Sequence, residues 1–343
     1  MAPHFVLSRN KAVEQYNLLK KLGLLVSYSF KTNREVGKVL EEMTDSDFSI
    51  HLFDEIKMIN DKKRIWFFSQ AWNKDEIEKI INEGVRNFVI DTEEDLQKLL
   101  DFISDRKIKI NLALRMKFQE HRISSGKYFV YGMPSSKINE IVSILKDNKF
   151  IEKLGVHIHR KSQNTSEWGI KDELTDSLSQ ETLKRINFVN FGGGLPAEYK
   201  SYKLEVMPYI IEKIKEATEW LKTMGISSYI EPGRFIAAPA VKLETEIIQV
   251  NGNTIVVNAS LYNCALDTLI TETKMIVENE LGDKEEGKDY LIKGNSPTRD
   301  DIFRYKVRLK EPKVGSKIVF LNAGAYNYTT DFCGFEKIET RME

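Results

Sequence analysis

Hydrophobic positions along the chain keep two rhythms. Short β-rich runs recur at LLVSYSF (24–30), DFSIHLF (47–53), RIWFFS (64–69), NFVI (87–90), IKINLAL (108–114), LGVHIH (154–159), INFVNF (186–191) and SSYIEP (227–232). Between them, NREVGKVLEEM, NKDEIEKIINEG, TEEDLQKLLDFI, KINEIVSILKD and EVMPYIIEKIKEATEWLKTMG space their apolar residues three or four apart. That spacing marks helices with one buried face. Eight strands, each but the last followed by a helix, predict a parallel sheet. Eight such units over residues 15–235 fit a closed (β/α)8 TIM barrel, with a doubly wound open sheet as the alternative.

The rhythm changes after Arg234. AVKLETEIIQVNGNTIVVNASLY alternates, turns at Asn-Gly-Asn and alternates again, the pattern of a hairpin. KDYLIKG, FRYKVRL and SKIVFLNAG continue as strands, so residues 236–343 are expected to form a C-terminal antiparallel β domain. Residues 1–14 contain MAPHFVL, expected to add a strand to it.

Charge narrows the function classes. The 51 basic and 51 acidic side chains cancel, which argues against a broad nucleic-acid surface. No apolar run approaches the roughly 20 residues of a membrane span. Cys264 and Cys333 form neither a metal-ligand spacing nor a disulfide framework, which points to a reducing, cytoplasmic setting.

A barrel of this kind carries its chemistry at the C-terminal ends of its strands. Four ends stand out: YSFKTN with Lys31, HIHRKS with His157 and His159, FGGGLP with Gly192, Gly193 and Gly194, and IEPGRF with Glu231, Gly233 and Arg234. Lys31 is either a solvated lysine or a Schiff-base lysine activated by its neighbours. The three glycines suit a turn, or a backbone whose N–H groups approach a phosphate. Arg234 can fork onto the same phosphate or pair with a carboxylate. Glu231 can serve as a metal ligand, a base or a partner for a heterocyclic nitrogen. The H-x-H pair can bind zinc, but only with more ligands than the other strand ends supply, so no metal is expected.

YSFKTN, GVHIHRKS, NFGGGLP and EPGR, in this order and followed by a β domain holding GAY (324–326), resemble the pyridoxal-phosphate decarboxylases of the alanine racemase fold. Ornithine, diaminopimelate, arginine and carboxynorspermidine decarboxylases belong to this family, and the likeness covers nearly the whole chain. It implies a homodimer with shared active sites, an amino-acid substrate and pyridoxal 5'-phosphate as cofactor. Lys31 would hold that cofactor as a Schiff base, and His159 would stack on its ring. Ser162, Gly193, Gly194 and Arg234 would hold its phosphate, with Tyr326 helping from the β domain, and Gly233 would also belong to the cofactor site. Glu231 would pair with the pyridine nitrogen, and Arg115 in LALRMK would match an arginine at the end of strand five. Racemases of this fold tend to place arginine at the pyridine nitrogen. Glu231 therefore favours decarboxylation over the alternatives, a racemase or epimerase or a non-catalytic regulatory relative.

The pattern also departs from the family. Arg160 and Lys161 stand between His159 and Ser162, where the family reads H-x-G-S. GNSPTRDDIFR puts Arg299 and Asp300 where many members carry a cysteine and an acid that reach the partner subunit's site. Ala259 stands where relatives with diamine products often carry an acid. Losing one acid and gaining Arg299 would disfavour a distal ammonium and favour a second acidic group on the substrate. Arg299, Asp300 and Arg160 are the expected substrate residues, with the alternative that Arg299 pairs with Asp300 or Asp301 and never meets substrate. With the family's cysteine missing, Lys31, a water, Cys264 or Cys333 is left to return the proton. His51, in SIHLFDE, is expected to approach the cofactor.

Overall fold

The computed structural model describes residues 1–118, 131–145, 147–327, 330 and 334–343. Eight parallel strands close a barrel: β2 (Leu25–Ser29), β3 (Asp47–Ile50), β4 (Ile65–Phe68), β5 (Asn87–Ile90), β6 (Ile110–Arg115), β7 (Ile151–His157), β8 (Phe188–Asn190) and β9 (Ser227–Ile230). The ring closes through Leu25 opposite Tyr229 and Val26 opposite Ile230.

The helices between strands form for local reasons. Asn33 caps helix Arg34–Met43 by accepting from the N–H groups of Glu35 and Val36. The helix then buries Val36, Val39 and Leu40 against the barrel. Asn73 and Glu76 form a reciprocal capping box at helix Lys74–Asn82, satisfying two N–H groups that the helix leaves unpaired. The last strand is also followed by a helix, Arg234–Ala240, which delivers the chain to the β domain.

That second unit is built on β10 (Val241–Asn251), β11 (Thr254–Val257), β12 (Ile276–Val277), β13 (Lys288–Lys293), β14 (Ile302–Leu309) and β15 (Lys317–Leu321). The β10–β11 hairpin turns at Gly252, whose φ of +56° suits glycine. From the N-terminus, β1 (His4–Leu7) pairs antiparallel with β10. The final strand, β16 (Glu339–Met342), pairs parallel with β1, and β13 pairs parallel with β11. The sheet is therefore mixed where the sequence suggests antiparallel pairing alone. These two partners meet through long connections, which a hairpin-sized sequence window does not register.

Side chains on a strand alternate between faces. Glu231 and Tyr229, Asn190 and Phe188, and His157 and Gly155 therefore stack in two layers inside the barrel. The lower layer is aromatic: Trp66, Phe188 and Tyr229 meet edge to face with centroids 5.1 to 5.7 Å apart. Gly155 makes room for them. A Cβ there would come within 2.4 Å of the Phe188 ring. We expect Gly155→Ala to cost about 1–3 kcal/mol through overpacking, read as a lower midpoint in thermal denaturation. An unchanged midpoint would show that the ring gives way freely.

Candidate active site

Above the aromatic layer lies a cavity of about 950 Å³. Lys31, Arg115, His159, Ser162, Gly193, Gly194, Glu231, Gly233, Arg234 and Tyr326 all line it, and so does His51. The barrel's strand ends, with Tyr326 from the β domain, thus bring together every residue assigned to the cofactor by sequence.

One pole of the cavity is anionic. Glu231 follows β9 and is 4% exposed. Its Oε1 accepts from Ser49 Oγ at 3.0 Å and Asn190 Nδ2 at 2.8 Å, and its Oε2 accepts from His157 Nε2 at 3.1 Å. Ser27 braces Ser49 at 2.8 Å. Burial alone would raise the carboxyl's pKa, but the charge and hydrogen bond of His157 outweigh it and hold it at about 2. Lys31 sits in the turn Phe30–Thr32 that leaves β2. Burial lowers its pKa, with Glu231 opposing and Arg115 adding to the effect. A lysine shifted this way holds more of the nucleophilic free amine.

His159 fixes the middle of the site. Its Nδ1 accepts from Gly193 N at 3.2 Å, which leaves the proton on Nε2. Burial, helped by Arg115, lowers its pKa to about 3, so the ring is neutral at ordinary pH. His51 is lowered to about 3 as well, by burial and then Lys31. It lies flat on Phe68, with ring centroids 4.7 Å apart.

The other pole is built for close approach. Gly194 has φ +108°, and a Cβ there would come within 2.9 Å of Arg160 Cβ and of Lys161 O. At Gly193 a Cβ would come within 3.1 Å of both Glu231 O and His159 Cε1. Arg234 Nε donates to Ser162 Oγ at 3.3 Å, and the Tyr326 ring centroid lies 5.2 Å from the Arg234 guanidinium. The β domain grips this region at two points. Tyr326 N, at φ +58°, donates to Thr32 O at 3.0 Å, and Asn33 Nδ2 donates to Gly324 O at 2.9 Å.

Arg160 does not join the site. Its buried guanidinium donates to Glu173 Oε1 and lies over the Phe118 ring, and it does not line the cavity. This corrects its expected role in substrate binding: desolvation commits the side chain to a carboxylate and an aromatic face of its own. Arg299 and Asp300 lie 95% and 70% exposed, 3.6 Å apart, and do not line this chain's cavity. Arg115 pairs with Asp91 at 3.2 Å at the cavity's edge. Cys264 is buried, donates to Ser260 O and does not line the cavity, which removes it as a proton donor. Cys333, and most of the loop SSGKYFVYGM (124–133), lie outside the described residues.

The sequence reading missed Ser49, Asn190 and the Glu231 contact of His157. Their only sequence signal is a polar residue at an inward position of a buried strand. His157, His159 and Glu231 also offer donor atoms within 4.8 Å of one another, as a metal site would. An ion there would have to displace the hydrogen bonds that Glu231 already accepts.

Residues 9–238 match the family model of the pyridoxal-dependent decarboxylases, pyridoxal binding domain. The diaminopimelate decarboxylase of Methanothermobacter thermautotrophicus is 24% identical, over 95% of this chain and 82% of its own length. Among solved structures, lysine decarboxylase from Selenomonas ruminantium superposes with a TM-score of 0.83 at 19% identity, covering 99% of this chain and 92% of that one. Diaminopimelate decarboxylase from Helicobacter pylori, complexed with L-lysine, gives 0.82 at 20% identity, covering 100% and 92%. These two likenesses establish the fold, a TIM barrel with an added β domain. The match to the family model covers well over half of the chain, so the protein belongs to the pyridoxal-dependent decarboxylases.

Proposed function

We propose that the chain removes the α-carboxylate of an amino acid, with Lys31 holding pyridoxal phosphate covalently and Glu231 meeting its ring nitrogen. The observation that carries this reading is Glu231 itself, a buried carboxylate kept ionised by three donors in the same cavity as a lysine of lowered pKa. The residues fit the cofactor. Gly193 and Gly194 line the cavity with no side chain between their backbone and a bound phosphate, because a Cβ at either would press on Glu231 and His159 or on Arg160 and Lys161, and Ser162 and Arg234 supply donors beside them. When bound, pyridoxal phosphate supplies an electron sink for the pair left behind by departing carbon dioxide. Of the residues that would hold it, Glu231 would keep the ring nitrogen protonated, His159 would hold the ring, and the glycine pole would set its position.

The substrate on this reading carries a second acidic group and is neither plain ornithine nor plain lysine. Among the described residues, the carboxylates lining the cavity are already engaged. Asp91 holds Arg115, Glu231 takes three donors, and Glu76 caps the N–H of Asn73. None is left over to receive a distal ammonium. Arg299, at the tip of an exposed loop, meets substrate by reaching the partner's cavity in a homodimer.

A carbon dioxide release screen across amino acids with cofactor-loaded protein tests both parts. Release from an acidic or carboxylated amino acid is expected. No release from any substrate would overturn the decarboxylase reading, and a clear preference for ornithine or lysine would overturn the substrate class. Glu231→Gln is expected to lower kcat roughly a hundredfold while the protein still binds cofactor, because it removes charge stabilisation at the site of reaction.

Burial of the histidines also sets an acid limit. His51 and His159 titrate at about 3 when folded, against an ordinary value of 6.5. The unfolded chain therefore takes up these protons first. Their stability contribution is full above about pH 6.5 and is lost as pH falls toward the folded value. The cofactor-free protein should show a falling thermal midpoint between about pH 7 and 4, with a shallower slope in His51→Gln.

A further inference from the structure

Arg234 stands at the pole assigned above to the phosphate, and this inference rests on that assignment. Its guanidinium is almost fully committed before any ligand arrives. Nη1 donates to Asp267 Oδ2 at 2.5 Å and to Tyr199 Oη at 2.9 Å, while Nη2 donates to Asp267 Oδ1 at 2.9 Å. Both side chains of the pair are 3% exposed. The rings of Tyr199 and Tyr326 lie 5.5 and 5.2 Å from the guanidinium. The end-on fork of the arginine is thus spent on a carboxylate. What remains is the lateral edge, Nε–H with the second Nη2–H, and Nε already points to Ser162.

Asp267 comes from the other unit of the molecule, on the short helix Leu266–Ile270 of the β domain. It does not line the cavity. Its own position is set from two sides: Oδ2 accepts from Thr273 Oγ1 at 2.9 Å, and its N–H donates to Asn327 Oδ1 at 3.2 Å. Asn327 follows Tyr326 directly, so one loop places both the carboxylate and the tyrosine. A buried guanidinium without this partner would be an uncompensated charge in the cofactor-free protein. It would also be free to turn, and a donor that must be ordered on binding contributes less than one ordered in advance.

We propose that Asp267 is a positioning residue for the cofactor: it locks Arg234 so that its lateral edge meets the phosphate. The arginine's recognition of phosphate then depends on a carboxylate of the β domain.

The test compares pyridoxal phosphate with pyridoxal, which lacks the phosphate, by spectroscopic titration of the full-length protein. In Asp267→Asn the preference for the phosphorylated form should fall at least roughly tenfold, the worth of one charge-assisted hydrogen bond. Affinity for pyridoxal itself should stay near wild type. An unchanged preference, or an equal loss for both ligands, overturns the proposal, since a general loosening of the fold would weaken both. Arg234→Met is the reference. If the preference survives there, the phosphate does not sit at Arg234, and the assignment of that pole fails. If Arg234→Met abolishes it and Asp267→Asn does not, only the role of Asp267 fails. Should Asp267→Asn not fold, Thr273→Val carries the test. It removes one brace of the carboxylate and should lower the preference roughly threefold, and no change would overturn the proposal.

Discussion

A carboxylate sealed from water has to be surrounded by donors, and much of this molecule is arranged to meet that demand at Glu231. Its hydrogen-bond partners come from three different strands: Ser49 on β3, His157 on β7 and Asn190 on β8. Only a closed barrel brings these strands to one point with β9. Asn190 extends the arrangement. Its amide donates to Glu231 while its carbonyl oxygen accepts from Gly192 N at 2.9 Å. One side chain therefore ties the acidic pole to the glycine turn of the opposite pole. Displacing β8 would disturb both ends of the cavity together.

The β domain completes the cavity. Its loop at 324–327 grips the backbone around Lys31 and lays Tyr326 near Arg234. Tyr326 adopts a left-handed backbone, a conformation that bulky residues avoid and that persists only where surrounding contacts enforce it. The domains thus share the site, and separation of the β domain would loosen the lysine turn and the arginine together.

Much of this was legible in the chain. Eight apolar runs became eight strands because the two periodicities are local and strong. The residues proposed for the cofactor were legible because most of them follow a barrel strand and are of a type that its chemistry requires. What escaped depends on distant partners. Arg160 is drawn off by Glu173 and Phe118, the second of them far along the chain on another strand end. Ser49 and Asn190 look like ordinary strand polars until Glu231 is folded between them. Asp267 meets Arg234 across 33 positions and a domain boundary. The parallel pairing of β16 with β1 joins the two ends of the chain, which no window of sequence spans.

The aromatic layer beneath the site has a consequence for traffic. Trp66, Phe188 and Tyr229 pack edge to face across the barrel's interior, and Gly155 lets them close ranks. A packed floor of this kind leaves no room for an amino acid to enter from below. Substrate and amine product therefore share the upper doorway, and carbon dioxide is set free beneath whatever occupies it. Whatever narrows that doorway governs how long the site keeps its carbon dioxide close to the carbon that released it.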